Sequence, residues 1–330
     1  MKKELTYAES ILEAQKCILA NNPNAVLVGQ LVDSPGGVFG TTKGLVDIFG
    51  SSRVIDYPPA EQLMTASAIG MAISGMKPIL VHQRVDFMLY SIDAIVNWLA
   101  LWNFKSGDIS EVPILIRIIV GKGWGQGPQH SKSLHTWFGQ LPDINVVMPT
   151  NSSTAYWSII EHFNQSKPTI MIEPRNVFGQ KSNVDFTSGI PNILNQSFIE
   201  VEGSDLTIAY VGGTRTQVYD AVSQLESSHQ IKAEVIDINS ISNPNHEIIF
   251  TSLQKTKKIL VVDPTWSKYS VSSEIISNIA QRNVDKPKFL FKRLNWPNSF
   301  VPMSSVLENQ FYTQTEDIVK ESLKLVSQLP

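Results

Sequence analysis

Two segments of the sequence carry side chains that could do chemistry. In the first, the apolar run 113–120 is followed by glycine at every second position from 121 to 127 and then by His130. The run is typical of a buried strand in a parallel sheet, and the spaced glycines predict a loop that can approach a ligand closely. Since open α/β sheets bind ligands beyond the carboxyl ends of their strands, His130 is a candidate functional residue. The alternative is a tight crossover with an ordinary surface histidine.

In the second segment, Glu61 follows a short predicted strand and the turn sequence Tyr57-Pro58-Pro59-Ala60. The two prolines restrict the backbone, and the residues after Glu61 predict an apolar helix with a face of small side chains. A carboxylate at this junction is either a helix N-terminal charge stabilised by the helix dipole or a buried proton carrier. Its position alone favours the dipole interpretation.

A second histidine lies close to the first in sequence. His135 follows His130 by five residues, which is the wrong phase for one face of a helix. We predict a short helix that carries Trp137 and Phe138 and that Ser133 could cap. If His135 lies on the outer face of this helix, His135→Ala should be nearly silent.

Other familiar motifs are missing from the sequence. It has neither a Walker phosphate loop nor a Gly-x-Gly-x-x-Gly fingerprint that opens a helix after the first strand. The six histidines show no zinc-type spacing, and the single cysteine, Cys17, excludes an internal disulfide and a cysteine-based metal cluster. We therefore expect this chain to have no metal site of its own.

The elements that would position these side chains alternate along the chain. Strands are predicted at 25–29, 53–56, 78–81, 113–120, 145–148 and 169–173, with helices between several of them. This alternation predicts an α/β fold with a doubly wound, mostly parallel sheet. A second, smaller alternation of strands and helices begins at residue 206. We predict domains at 1–180 and 204–330, joined by a polar linker at 181–203.

One predicted helix is unusually apolar. It runs from 87 to 105 and includes Trp98 and Trp102. Its side chains are more hydrophobic than those of a helix surrounded by solvent should be. We expect it in subunit contacts, although either tryptophan could equally fill the core of its own domain.

Composition limits the classes of function. The chain has 330 residues, 42% of them hydrophobic and 17% charged, with a net charge of −3. This describes a globular protein of two domains, without the basic field expected of a nucleic-acid or membrane-surface protein. Neither a signal peptide nor a membrane-spanning run is visible, so we expect a cytoplasmic location.

Several sequence blocks together resemble the β subunits of thiamine-diphosphate-dependent 2-oxo-acid dehydrogenases, the decarboxylating component of the pyruvate and branched-chain complexes. The blocks follow the family's order and spacing over nearly the whole chain: GGVFGTTKGL (36–45), VIDYPPAE (54–61), DF (86–87) with IDAIVN (92–97), QHSKS (129–133) and VVMP (146–149). The resemblance implies a transketolase-like pyrimidine-binding domain followed by a smaller α/β C-terminal domain.

The resemblance also implies roles for individual residues. In this family the glutamate at the position of Glu61 hydrogen-bonds N1′ of the cofactor's aminopyrimidine, which helps the cofactor's own amino group act as the base. Phe87 matches the aromatic residue that packs against the pyrimidine, and Pro59, beside Glu61, is assigned to the same cofactor site. His130 matches the active-site histidine, which would steer the substrate carboxylate or the acyl intermediate.

Some positions depart from the family's usual pattern. Gln30 stands where the family usually has a glutamate near the cofactor, so one charge is missing there. Gln83 and Gln129 lie in altered segments and are candidates for the substrate pocket. Residues 163–166 lack the aspartate usual in the family's potassium-binding loop, which makes a bound potassium ion doubtful.

A further absence implies a partner. The family binds Mg²⁺ and the cofactor's diphosphate through Gly-Asp-Gly followed by Asn, and this chain has no Gly-Asp-Gly. The resemblance therefore implies an α-type subunit that carries this motif, in a heterotetramer of two plus two, with a lipoyl acyltransferase as a possible acyl acceptor. The alternatives are a split transketolase or carboligase that moves a two-carbon unit to an aldehyde, and a non-catalytic regulatory homologue. Retention of Glu61, Phe87 and His130 argues against the latter.

Overall fold

The computed structural model describes residues 2–123, 125–187, 189–283 and 289–328. Its strands are β1 (Lys2–Thr6), β2 (Ala25–Gly29), β3 (Val54–Asp56), β4 (Lys77–His82), β5 (Leu115–Val120), β6 (Asn145–Val147), β7 (Thr169–Pro174), β8 (Lys181–Asp185), β9 (Phe198–Val201), β10 (Leu206–Tyr210), β11 (Ala233–Asp237), β12 (Lys258–Trp266) and β13 (Leu290–Trp296). Its helices are α1 (Tyr7–Asn21), α2 (Leu45–Phe49), α3 (Glu61–Ile73), α4 (Val85–Met88), α5 (Trp102–Ser106), α6 (His135–Gly139), α7 (Ser152–His162), α8 (Arg215–His229), α9 (His246–Thr256), α10 (Val271–Arg282), α11 (Ser305–Phe311) and α12 (Thr315–Val326).

The first sheet contains six strands in the order β3-β2-β4-β5-β7-β6, and all its neighbouring strands pair in parallel. Alternate residues of each strand face opposite layers of helices: Val26 and Val28 pack in one apolar cluster, and Ala25 and Leu27 in the other. Because the strands are parallel, their carboxyl ends lie along one edge, called here the carboxyl edge. The prediction of a doubly wound parallel sheet is confirmed.

The second sheet has the order β13-β12-β10-β11-β9, parallel except for the antiparallel edge strand β9. One apolar cluster extends from the first sheet, at Ile116 and Ile118, to the second sheet, at Ala209 and Val261. The two sheets are therefore joined by continuous packing.

The segment predicted as a linker, 181–203, contains regular structure at both ends. β8 pairs antiparallel with β1 in a separate two-stranded sheet, and β9 forms the edge of the second sheet. Most of the Gly, Pro, Asn and Gln residues that suggested a linker lie in 189–197, between these two strands.

The prediction of a continuous helix over 87–105 is wrong. The chain there forms α4, a 3₁₀ turn at Leu89–Ser91, a π-helical turn at Ala94–Leu99 and α5, and its two halves meet at 60°. The amide of Ala100 donates to the carbonyl of Ile95 at 2.9 Å, a spacing of five residues that widens the helix after the bend. Apolar periodicity does not reveal such a bend.

Among the described residues, no single helix is long and apolar enough to cross a membrane, although the bent pair Val85–Ser91 and Ala94–Ser106 meets the test by length and composition. The two tryptophans of this segment differ. Trp98 is 50% exposed, whereas Trp102 packs against the chain's own core and donates its indole N–H to Ser110 Oγ at 3.1 Å.

Candidate functional site

Four neighbouring strands deliver the candidate residues to the carboxyl edge. Gln30 directly follows β2, and Glu61 is the first residue of α3, after the turn that leaves β3. Gln83 and Phe87 follow β4, and the glycine loop that leads to His130 follows β5. Because β3, β2, β4 and β5 are adjacent in the sheet, their carboxyl ends bring residues distant in sequence to one place.

The first half of the site is a hydrogen-bonded group around Glu61. The amide of Gln30 donates to Glu61 Oε1 at 3.3 Å, and the amide of Gln83 donates to the backbone carbonyl of Gln30 at 3.3 Å. All three side chains are half-buried. The carboxylate of Glu61 therefore faces a neutral amide donor, where a second carboxylate would repel it.

The second half of the site surrounds His130. Arg84 donates from Nη1 to the carbonyl of Gln83 and from Nη2 to Gln126 Oε1, both at 3.0 Å. The carbonyl oxygen of Gln126 lies 3.4 Å from His130 Nδ1, and the His130 ring meets the Phe87 ring edge-on, with centroids 5.4 Å apart. Polar contacts thus link Glu61 to His130 residue by residue, passing from side chain to backbone within Gln30, Gln83 and Gln126. Sequence reasoning placed the altered segments 82–84 and 122–127 around the pocket but assigned no role to Arg84 or Gln126, because an arginine after a strand has no motif of its own.

Two predicted site residues stand apart from these contacts. Pro59 and Gln129 are both exposed, each within two residues of a site residue in sequence. Pro59 lies in the turn before α3, where the amide of Ala60 donates to the carbonyl of Pro58 at 2.7 Å.

The glycine loop has physical reasons for its composition. A Cβ at Gly121 would lie 2.2 Å from the carbonyl oxygen of His130, and Gly125 and Gly127 have φ of 63° and 68°. Glu308 of α11 is 4% exposed and accepts hydrogen bonds from the amides of Gly123 at 3.0 Å and Gly125 at 3.2 Å. The C-terminal region thus holds the loop that delivers His130, a contact that no local sequence signal indicates.

A buried ion pair lies beneath the site. Arg117 of β5 binds both carboxylate oxygens of Glu173 in β7, at 2.6 and 2.8 Å, and also donates to Gln15 Oε1 at 2.7 Å and Thr41 Oγ1 at 3.0 Å. The charge of Arg117 is therefore balanced by Glu173 and its remaining donors are hydrogen-bonded, as a buried ion pair requires. Its bond to Thr41 also anchors the loop 36–44 to the sheet.

His82, at the end of β4, is a structural histidine. Burial lowers its pKa to about 3, and its Nε2 lies 3.0 Å from Thr65 Oγ1, which donates to Ser91 Oγ at 2.9 Å. The neutral ring therefore belongs to a packed polar group between β4, α3 and the 3₁₀ turn.

Comparison with known proteins places the chain in a family. The profile of the transketolase pyrimidine-binding domain matches residues 3–180, and that of the transketolase C-terminal domain matches residues 196–318. The chain belongs to the transketolase-like family of 2-oxo-acid dehydrogenase β subunits. The resemblance proposed from the sequence blocks is confirmed.

Relatives match this β subunit over almost its full length. A β subunit of acetoin:2,6-dichlorophenolindophenol oxidoreductase from Bacillus subtilis is 31% identical over 99% of both chains. The β subunit of the mitochondrial pyruvate dehydrogenase E1 component from Saccharomyces cerevisiae is 26% identical over 98% of this chain and 90% of its own.

Solved structures share the fold of the β subunit. A split-gene transketolase, described as an inactive β4 tetramer, superposes with a TM-score of 0.77 at 16% identity, over 98% of both chains. A transketolase variant from Pichia stipitis gives a TM-score of 0.68 at 19% identity, over 98% of this chain and 46% of its own.

The condition under which His135→Ala would be silent is not met in the β subunit. His135 is fully buried, with Nδ1 2.9 Å from Ser133 Oγ and Nε2 3.0 Å from Asp263 Oδ1 of β12. Ser133 is not the N-cap of α6, because Leu134 occupies that position without a side-chain cap bond. The predicted outer face of this short helix packs against the second sheet, which residue spacing within the helix could not reveal.

Proposed function

We propose that this β subunit supplies half of the active site of a thiamine-diphosphate-dependent enzyme that decarboxylates a 2-oxo acid and transfers the acyl group to an acceptor such as a lipoyl domain. The observation that carries the proposal is the series of polar contacts that links Glu61 to His130, residue by residue, at the carboxyl edge. A carboxylate and an imidazole held in one site can donate and accept protons at two positions of one reacting molecule.

The residues present fit the pyrimidine half of the cofactor. The ring nitrogen of an aminopyrimidine needs a carboxylate partner, and half-buried Glu61 has one oxygen already oriented by the Gln30 amide. Phe87 and His130 add an aromatic wall against which a flat heterocycle can pack. When bound, thiamine diphosphate supplies the carbanion that attacks the 2-oxo carbon.

The chain's own residues would manage protons and position the substrate. Glu61 holds a proton against the pyrimidine nitrogen, and Gln30 restrains that carboxylate without adding charge. Where Nδ1 of His130 carries the proton, it points toward the Gln126 carbonyl and leaves Nε2 as an acceptor toward the substrate.

The remaining half of the site belongs, in this proposal, to an α-type subunit. That subunit would carry Gly-Asp-Gly followed by Asn, hold Mg²⁺ and the diphosphate, and assemble with this chain as a heterotetramer of two plus two. The active site then lies at the subunit contact, which suits a two-fold assembly.

The proposal includes no potassium ion in the 162–167 loop. Lys77 Nζ donates to the carbonyl of Phe163 at 3.1 Å, so an ammonium group already occupies the position beside one carbonyl oxygen of this loop. This contact supports the expectation drawn from the missing aspartate.

A second candidate is the cleavage of a 2-hydroxy ketone, favoured by the name of the Bacillus subtilis relative. Such a substrate is uncharged, whereas the carboxyl edge here carries the cation of Arg84. A carboligase that uses an aldehyde acceptor shares the same cofactor chemistry and is the third activity to test.

The test is a substrate panel with the assembled enzyme. This chain is co-purified with its α-type partner, supplied with thiamine diphosphate, Mg²⁺ and an artificial electron acceptor, and assayed with 2-oxo acids, with acetoin, and with a ketose donor plus an aldehyde. Turnover of a 2-oxo acid with release of CO₂, lost in Glu61→Gln, is the expected result. Turnover of acetoin alone would favour cleavage of a 2-hydroxy ketone, and turnover of the ketose alone would favour a carboligase.

Half-site binding is tested separately by calorimetry. Thiamine diphosphate with Mg²⁺ is titrated into this chain alone and into the complex. Tight, metal-dependent binding is expected only in the complex, and tight binding by this chain alone would contradict the shared site.

A further inference from the structure

The residues next to Phe87 and His130 in sequence are turned into the protein. Asp86 precedes Phe87 and is 9% exposed, and Ser131 follows His130 and is fully buried. The rings of Phe87 and His130 themselves are partly exposed and meet edge-on. A contact that restrains Asp86 and Ser131 from inside the protein therefore also restrains the two aromatic residues of the site.

Three buried oxygen atoms in this region have no hydrogen-bond partner among the described residues. They are Asp86 Oδ2, Ser131 Oγ and Tyr312 Oη, and Tyr312 directly follows α11. Asp86 uses its other oxygen, Oδ1, to bind Lys132 Nζ at 2.9 Å. Buried polar atoms of folded proteins are satisfied by an ordered water where no side chain reaches them, so these three atoms call for a common partner.

The hydroxyl of Tyr312 lies among these polar groups. Glu308, Ser131 and Asp86 all act on the pKa of Tyr312, although none of them forms a direct hydrogen bond with its hydroxyl. Burial and the charge of Glu308 raise this pKa. The hydroxyl therefore keeps its proton at neutral pH and is available as a donor.

The ring of Tyr312 is held firmly by its neighbours. Its centroid lies 5.6 Å from that of Trp296 and 5.4 Å from that of Phe311, and Lys122 of the glycine loop places Nζ 4.9 Å from it. The whole residue is 5% exposed. Because the ring is fixed, its hydroxyl has a fixed position, and removal of the hydroxyl alone leaves this packing in place.

We propose that Tyr312 is a positioning residue for His130, and that its hydroxyl, Ser131 and Asp86 together bind one enclosed water molecule. The water accepts a hydrogen bond from Tyr312, donates one to Asp86 Oδ2 and shares a third with Ser131. It thereby connects the residues beside Phe87 and His130 to the C-terminal region. This inference rests on the proposed function, to which it adds a residue that acts through His130.

A double-mutant cycle in the assembled enzyme tests the role of Tyr312, with the substrate that the panel identifies. Tyr312→Phe should lower kcat roughly tenfold, because even a small misplacement of a reacting group slows a reaction strongly. The KM should change little, since Tyr312 does not touch the substrate. In the His130→Ala background the same substitution should change kcat by less than about twofold, because its effect passes through His130. Equal losses in both backgrounds, or a wild-type kcat in Tyr312→Phe, would overturn the proposal.

Ser131→Ala tests the other side of the same water. It should lower kcat about as much as Tyr312→Phe does, and the two substitutions combined should cost little more than either alone, because both act on one water. A wild-type kcat in Ser131→Ala would show that the contact does not pass through Ser131. Tyr269→Phe, which removes the hydroxyl of a tyrosine that is 92% exposed, is the matched control and should leave kcat unchanged.

A measurement without turnover separates failure of this inference from failure of the proposed function. The full chain is labelled with ¹³C at histidine Cε1, and the NMR signal of His130 is identified by its loss in His130→Ala. Tyr312→Phe should shift or broaden this signal, while those of the buried His82 and His162 stay in place. Such a change supports the positioning role even if no 2-oxo acid is turned over, whereas an unaltered His130 signal would overturn it.

Discussion

The two parallel sheets share an architecture but use their carboxyl edges differently. In the first sheet that edge presents Glu61, Arg84 and His130 to a site. In the second sheet the corresponding edge packs against the first domain: Asp263 contacts His135 at 3.0 Å, and the carbonyl of Asn239 accepts the amide of Met148 at 2.8 Å. A carboxyl edge thus becomes a ligand site only where the rest of the fold leaves it uncovered.

The largest expected effect tests the first edge. Glu61→Gln should lower kcat by about 10²- to 10⁴-fold, because the carboxylate is replaced by a group that cannot hold the proton. The free energy of unfolding should change little, since only the 3.3 Å bond from Gln30 is lost from a half-buried carboxylate. Steady-state kinetics and urea unfolding measure the two quantities. Turnover close to wild type in a properly assembled variant would remove Glu61 from the chemistry.

His130→Ala tests the other end of the same edge. We expect a loss of about 10²-fold in kcat, with a smaller change in the dissociation constant of thiamine diphosphate, because Glu61 and Phe87 remain and only the edge-on contact between the His130 and Phe87 rings is lost. Rapid-quench kinetics and calorimetry separate these two quantities. A variant whose only defect was weaker cofactor binding would contradict a role at the reacting carbon.

Substitutions at the carboxyl edge of the second sheet should lower the free energy of unfolding without changing turnover. Asp263 is fully buried, contacts His135 and accepts the amide of Ser272 at 2.9 Å. Asp263→Ala leaves buried partners without an acceptor and should lower the free energy of unfolding by about 2–4 kcal/mol. Asp220→Ala, on the exposed face of α8, is the control. If Asp263→Ala impaired turnover at unchanged stability, the contrast between the edges would fail.

Glu308→Gln tests the contact between the two regions. The amide keeps the size of the side chain but replaces a charged acceptor of two backbone N–H groups, a change worth about 1 kcal/mol or more. We expect faster hydrogen exchange at Gly123 and Gly125 and a fall in kcat/KM of roughly tenfold. Glu316→Gln, an exposed residue of α12, should change neither, and unchanged exchange in Glu308→Gln would disprove the restraint.

The effects of pH on stability have opposite signs in the two sheets. Burial lowers the pKa of His82 from 6.5 to about 3, so this residue favours unfolding as the pH falls from 6.5 toward 3. Burial and the nearby charge of Glu200 raise the pKa of Asp237 from 3.8 to about 8, so its contribution is lost as the pH rises through that interval.

Each slope is on the order of 1.4 kcal/mol per pH unit for one proton. Urea unfolding at pH 5, 6, 7 and 8 of the wild type, His82→Asn and Asp237→Asn measures both contributions as differences. Relative to wild type, the stability of His82→Asn should improve toward pH 5 and that of Asp237→Asn toward pH 8. Parallel curves for all three proteins would contradict both assignments.

Much of the fold could be predicted from local patterns. The strand predicted at 25–29 is β2, and the strand predicted at 169–173 corresponds to β7, because runs of apolar residues indicate buried strands of a parallel sheet. The antiparallel pair β1 and β8 was not predicted. Both strands are short and polar, and they pair with each other although they are about 180 residues apart in sequence.

The site divides in the same way. Glu61 and His130 were found from the chemistry of their positions and from the family resemblance. Arg84 and Gln126 lie in segments that the sequence placed around the pocket, but no role could be assigned to them, because their contact joins residues 42 positions apart. The buried position of His135 could not be predicted for the same reason, since its partner Asp263 lies 128 residues further along the chain.

The contact of Glu308 with the glycine loop has a consequence for the order of assembly. The loop and its restraint are separated by 185 residues between Gly123 and Glu308. During synthesis the strands of the first sheet are therefore complete long before the residue that fixes the loop exists. A nascent chain, or one truncated before α11, can build the sheet while the histidine loop lacks this restraint. The restrained form of the histidine loop can thus exist only after α11 has been synthesised, well after the strands of the first sheet.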